Sequence, residues 1–263
     1  MLDIFLFILI GLCAGLLAGM LGLGGGIIIV PGMVEWLTYK EMATDRIMQL
    51  SVGTSLSTVV IISLITGLMH RRLGYVVWDI VRFIAPGTTF GAVFGVLIAD
   101  HLSSDVLQRV FALLLCAIAL QLLFFPHRPK SSQPILHSWQ LTVCGIFIGA
   151  LAGMLGIGGG IILIPLLIYN GTPIIQASAT SLWCVLPMVL VASCVSIWTG
   201  YNEVGLPTNS LGYVYWPATL IIGACALISS PIGIHFALKM SKIWLQRIFA
   251  VVLLIITIRM LVG

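Results

Sequence analysis

Apolar residues run along this chain in stretches of about twenty or more, separated by short polar segments, a pattern that predicts membrane-spanning helices. The first stretch, Leu2 to Val34, would reach roughly 50 Å as one helix, against a hydrocarbon core of about 30 Å. It must break, and Gly22-Leu23-Gly24-Gly25-Gly26 is where the backbone is released. After a mixed-charge connection (Glu35 to Arg46), long helices are predicted over Met48 to Met69, Tyr75 to Ala99 and Val106 to Phe125. Pro126 to Ser138 reads as a Pro/Ser/basic linker. Beyond it, Trp139 to Tyr169 contains a second glycine break, and a further helix runs to about Trp198.

The second half repeats the first. Gly15 to Pro31 (GLLAGMLGLGGGIIIVP) and Gly149 to Pro165 (GALAGMLGIGGGIILIP) share 13 of 17 residues. Gln176 to Ser181 (QASATS) echoes Gln49 to Ser55, Gly212 to Trp216 echoes Gly74 to Trp78, and Leu245 to Ala250 echoes Leu107 to Ala112. The chain therefore divides into a repeat over 1–125, a linker over 126–138 and a repeat over 139–263. The expected fold is an all-α polytopic membrane protein: two homologous tandem repeats, about eight long transmembrane helices and two short, Gly-interrupted or re-entrant half-helices. Glycines recur every fourth residue at Gly11, Gly15 and Gly19, at Gly145, Gly149 and Gly153, and at Gly87, Gly91 and Gly95. Such smooth stripes let helix backbones approach closely.

Composition narrows the class. The 263 residues are 60% hydrophobic and 8% charged, where a soluble domain carries about 25% charge. The net charge of +4 is spread singly or in pairs at segment ends, which is not a nucleic-acid footprint. The six cysteines lie inside apolar segments without CxxC or Cys/His spacing, so neither a disulfide framework nor a metal site is indicated, and no cofactor is expected. The N-terminal MLDIFLFILIG lacks a basic n-region and reads as a retained membrane segment.

Charge also bears on orientation. Arg82 lies within a helix and is set aside. If the chain crosses at each glycine break, the remaining Lys and Arg divide six against five between the two faces. If the breaks reverse the chain, Arg71, Arg72, Arg128, Lys130, Lys239, Lys242 and Arg247 share one face against Lys40, Arg46, Arg109 and Arg259. Seven against four is the stronger positive-inside bias and favours inverted halves. Ile27 to Leu37 is moreover too short to span alone. Either way the N-terminus lies outside.

The candidate chemistry sits at the breaks. Neither follows a strand nor carries a G-K-[ST], so no nucleotide fingerprint is present. Non-helical backbone at membrane depth survives only where protein buries it or it lines a cavity, and matched interruptions in two halves point to a transporter's binding site. Backbone N–H groups around Gly24, Gly25 and Gly26, and around Gly158, Gly159 and Gly160, would stand at the positive ends of half-helices and could cradle a small anion. Close packing or a hinge is the competing explanation. Thr54, Ser55, Thr180 and Ser181 are duplicated hydroxyls that could donate to a ligand or simply bond their own helices. Gln49 and Gln176 are weaker candidates. Trp78 and Trp216 read as interface aromatics, Arg109 and Arg247 as snorkelling cations, and Asp79 with Arg82 as a local pair. His235 is a lone intramembrane ionisable group without a duplicated counterpart.

The tandem GMLGLGGGIIIVP and GMLGIGGGIILIP units, the ATSL-like helix starts and the LQR-x-FA entries resemble the TauE/SafE family of sulfite exporters over essentially the full length. That resemblance implies a multi-pass secondary carrier of the inner (plasma) membrane for sulfite, organosulfonates, sulfoacetate or related anions, with a proton as candidate coupling ion and a homodimer as candidate assembly. It also points to the same glycines and the Thr54-Ser55 and Thr180-Ser181 pairs. The expected mechanism is alternating access about a midplane site, without enzymatic activity. An anion channel, a carrier of short carboxylates, and an intramembrane enzyme or assembly factor are the alternatives.

Overall fold

The computed structural model describes residues 2–22, 24–40, 45–124, 136–239 and 242–262. Arg128, Lys130 and most of the linker lie outside the described residues, as do the side chains of Lys239, Lys242 and Arg247 and most of the Leu245 to Ala250 motif. Among the described residues ten helices follow in order: α1 (Leu2–Leu21), α2 (Gly26–Tyr39), α3 (Ile47–Arg72), α4 (Trp78–His101), α5 (Ser104–Phe124), α6 (Ser138–Leu155), α7 (Gly160–Tyr169), α8 (Ile174–Thr199), α9 (Trp216–Lys239) and α10 (Lys242–Val262). A two-rung hairpin, β1 (Ser210–Leu211) with β2 (Val214–Tyr215), precedes α9. Among the described residues, seven helices are long and apolar enough to cross a membrane. In α10, 21 residues long, the described side chains form the apolar run Ala250–Met260. The molecule is an all-α polytopic membrane protein.

Direction is set at the breaks. At the far end of α2, the Trp36 indole N–H donates to Asp3 at the start of α1 (2.9 Å), and Lys40 pairs with the same carboxylate (3.0 Å). Phe7 packs edge-on against Trp36, which stacks on Tyr215. So α2 runs back along α1, and the chain turns at the break. These partners also explain why α2 continues through Pro31 to Tyr39, into the stretch predicted as a mixed-charge connection. Its polar residues find Asp3 and, for Glu35, Arg259.

The two halves then pack as an inverted pair. On α3, Gly67 accepts from the Trp183 indole near the start of α8 (3.1 Å), while Gly53 near its own start abuts Tyr213, just beyond the end of α8. These equivalent helices are therefore antiparallel. So are α5 and α10, since Gln108, near the start of α5, donates to the Met260 carbonyl near the end of α10 (2.8 Å). Two equivalent spanning helices that run antiparallel need a two-fold axis in the membrane plane, which makes the halves inverted.

The glycine stripes hold the halves together. Gly11, Gly15 and Gly19 of α1 lie against Ile222, Ala226 and Ser230 of α9. By the same exchange, Gly87, Gly91 and Gly95 of α4 face Thr142, Ile146 and Ala150 of α6, whose own Gly145, Gly149 and Gly153 meet Ile84, Thr88 and Ala92. A Cβ at Gly153 would stand 2.7 Å from the Ala92 carbonyl oxygen, too close for any side chain. Van der Waals packing of this kind, not water exclusion, associates helices in lipid.

Candidate functional site

Both breaks trace one backbone path. Gly22, Gly24 and Gly25 have φ of 70, 77 and 79°; Gly156, Gly158 and Gly159 have 70, 78 and 71°. Three left-handed residues within four positions are open only to glycine at low cost. Gly25 and Gly159 are the N-caps of α2 and α7, and the Gly25 carbonyl accepts from Ile28 and Ile29 as the Gly159 carbonyl does from Ile162 and Leu163. The breaks lie at the positive ends of these short helices, and at α7 the Gly160 N–H is already taken by the Gly158 carbonyl (2.9 Å).

The breaks also meet each other. A Cβ on Gly26 would overlap the Gly156 carbonyl oxygen and stand 3.0 Å from Ile157. Gly24 faces Val59, midway along α3, and Gly22 lies against the Ser178 hydroxyl of α8. The two breaks thus touch through Gly26, Gly156 and Ile157, with Gly24 against α3 and Gly159 against Met188 of α8.

The hydroxyl pairs are positioned differently. Thr54 donates to Leu50 of its own helix (2.7 Å) and accepts the backbone N–H of Tyr215 at the entry to α9 (3.0 Å). Thr180 accepts the N–H of Val77 at the entry to α4 (3.0 Å). Each ties a long helix of one half to the other half, and because α3 and α8 are antiparallel the two ties lie toward opposite faces. Ser55 reaches the centre, donating to the Gly156 carbonyl (2.8 Å), whereas Ser181 bonds Ser178 of its own helix (2.8 Å). Gln49 binds the Ala99 and Leu102 carbonyls at the end of α4 (3.2 and 2.7 Å) and accepts from Ser104.

Among the described residues of α3, two buried hydroxyls without a hydrogen-bond partner, Ser57 and Ser63, escaped the sequence reading, and Ser63 is the one found beside a break. Ser63 of α3 is 1% exposed and its Oγ has no hydrogen-bond partner. The Oγ lies 3.9 Å from where a Gly24 Cβ would be. Its position in the second half is Val189, so a search for duplicated polar residues passes over it.

The ends of the α3/α8 axis are closed by different chemistry. On one face Arg46 pairs with Glu203 (2.6 Å) and donates to the Asp100 carbonyl (2.6 Å), while the Tyr213 phenol donates to Asp100 (2.9 Å). Burial, reinforced by the Asp100 carboxylate, pushes the Tyr213 phenol well above its ordinary pKa, so it stays a donor. On the other face the Arg71 guanidinium lies 5.7 Å from both Trp78 and Trp183. Trp78 and Trp216 are exposed, and Asp79 pairs with Arg82 (3.3 Å). His235 is exposed on α9. Among the described residues no cluster of three His, Cys, Asp or Glu could hold a metal. Open grooves along α8 (Leu190, Val191, Cys194, Trp198) and between α4 and α8 (Pro86, Phe90, Pro187) are nearly all apolar and offer few donors to a polar ligand.

Known proteins are similar to this chain along nearly its whole length. A protein of Haemophilus influenzae named as a probable membrane transporter is 31% identical over 98% of this chain and 97% of its own. A probable membrane transporter of Methanocaldococcus jannaschii is 30% identical over 90% and 87%. One of Bacillus subtilis is 25% identical over 95% and 94%. No solved structure matches. The sulfite exporter TauE/SafE family model matches residues 7–260. With inverted halves, paired glycine breaks and that full-length match, the chain belongs to the sulfite exporter TauE/SafE family and is a membrane transporter, not an enzyme.

Proposed function

We propose that this transporter carries small sulfur oxyanions, sulfite and organosulfonates, across the inner membrane by alternating access, with the anion held between the glycine breaks. The observation that carries the reading is the meeting of the two breaks, where the positive start of α2 at Gly26 lies against Gly156 and Ile157, in the break that leads into α7. Helix N-termini stabilise an anion without a buried cation, and inverted halves allow one site to open to either face in turn. Gly24, Gly25, Gly26, Gly158, Gly159 and Gly160 form the cradle. Ser55 stands beside it, Ser181 bonds Ser178 of its own helix, and Thr54 and Thr180 couple each long helix to the opposite half. Reversal of the chain at each break gives the seven-against-four charge division, which puts His70, Arg71 and Arg72 on the cytoplasmic face.

The test is uptake of radiolabelled sulfite into proteoliposomes, competed with sulfonates, sulfate, thiosulfate and short carboxylates. Saturable uptake blocked by sulfonates is expected, and imposed pH gradients then report proton coupling. Competition and counterflow by carboxylates alone would overturn the sulfur assignment. Non-saturating flux without counterflow would mark a channel.

A further inference from the structure

We propose that the anion is held asymmetrically, at the first glycine break, and that Ser63 is a substrate-binding residue there; this rests on the anion reading above. Ser63, Thr66 and His70 are spaced i, i+3, i+7 and so share one face of α3. All three are more than nine-tenths buried. Thr66 is bonded to Ser230 of α9 (2.8 Å), but the Ser63 hydroxyl and both ring nitrogens of His70 have no partner. Buried donors are almost always satisfied, and those left open on a transporter's central helix call for a ligand. The stripe descends from the end of α3, where Arg71 and Arg72 follow His70, to Ser63 against Gly24. Ser178 presents its hydroxyl to Gly22, and Ser230, whose hydroxyl holds Thr66, backs Gly19 with its carbonyl one turn before the break.

The second break lacks this lining. The duplication places Val189 and Ala192 where α3 has Ser63 and Thr66, Val52 where α8 has Ser178, and Ala92 where α9 has Ser230. Val52 and Ala92 indeed take the equivalent contacts, against Gly156 and Gly153. An oxyanion leaving water needs donors for several oxygens at once. The hydroxyl at the second break, Ser55, is already spent on the Gly156 carbonyl, whereas Ser63 at the first is unpartnered.

The experiment compares Ser63→Ala with its mirror control Val189→Ala in proteoliposomes, reading KM for sulfite and the rise in Tm that sulfite produces in the purified transporter. Losing a hydrogen bond to a charged ligand predicts a rise in KM of about tenfold or more for Ser63→Ala and loss of the sulfite-induced Tm shift. Val189→Ala should stay within about twofold of the parent. Ser63→Cys preserves volume with a weaker donor and gives the same reading should the alanine variant fail to fold. A wild-type KM in both Ser63→Ala and Ser63→Cys, with saturable sulfite uptake intact, overturns the asymmetric site and leaves the anion reading standing. No uptake and no Tm shift with any anion in the parent protein overturns both.

Discussion

At the first break Gly22, Gly24 and Gly25 turn through the left-handed region beside Ser178 and Ser63. At the second, Gly156, Gly158 and Gly159 make the same turns, and Gly156 and Gly159 lie beside Val52, Val30 and Met188. The backbone has been kept in duplicate while the walls have diverged. Backbone geometry is needed twice, because each half must turn its chain back inside the bilayer. A ligand needs its side-chain donors only once.

The comparison is broken most severely by taking the shared backbone away. Gly25→Val and Gly159→Val each force a β-branched residue to positive φ, at roughly 1–3 kcal/mol before any clash. A Cβ at Gly25 would also press the Ala14 carbonyl (3.1 Å), while at Gly159 the nearest atoms are 3.4 Å or more away. Both variants should insert and lose sulfite uptake in proteoliposomes, with Gly25→Val melting lower. Normal transport by either would remove the breaks from the mechanism.

A second pair should behave alike. Thr54→Val and Thr180→Val each strip the acceptor from a backbone N–H of the other half, Tyr215 and Val77. Hydrogen bonds between membrane helices are worth about 0.6 kcal/mol, up to about 1.7. Both variants should therefore lower Tm by similar, modest amounts, and unequal shifts would contradict the two-fold arrangement of these ties.

The smallest effects should be unequal. Ser55→Ala removes the bond to the Gly156 carbonyl at the centre and should cost about 1 kcal/mol. Ser181→Ala loses only a bond within α8 and should fall within about 0.5 kcal/mol of the parent. Thermal melts of the two purified variants distinguish them, and equal losses would mean that Ser181 serves the first break as Ser55 serves the second.

Much of this was legible in the sequence for local reasons. The breaks could be read because only glycine repeats at left-handed positions. The close-packed stripes were visible because every fourth residue of a helix returns to one face. The length of α2 was misjudged at Glu35 to Tyr39, since its polar side chains are satisfied by Asp3 and Arg259, far away in the chain. The β1–β2 hairpin was missed because two rungs are too short for alternation to register. Thr54 and Thr180 carried the right symmetry, but nothing local shows that a hydroxyl will accept from the far half rather than face a ligand.

The sequence by itself determined that this is a duplicated, membrane-spanning chain interrupted twice at the same place, because hydrophobic length and glycine's freedom at positive φ act within a few residues. Only the tertiary structure decided that each break turns the chain back, that the halves are inverted, and that Ser63 lies unpartnered against Gly24. Those depend on which surfaces meet across more than a hundred residues of chain, and helix packing in lipid selects them through close contact, not through any pattern along one segment.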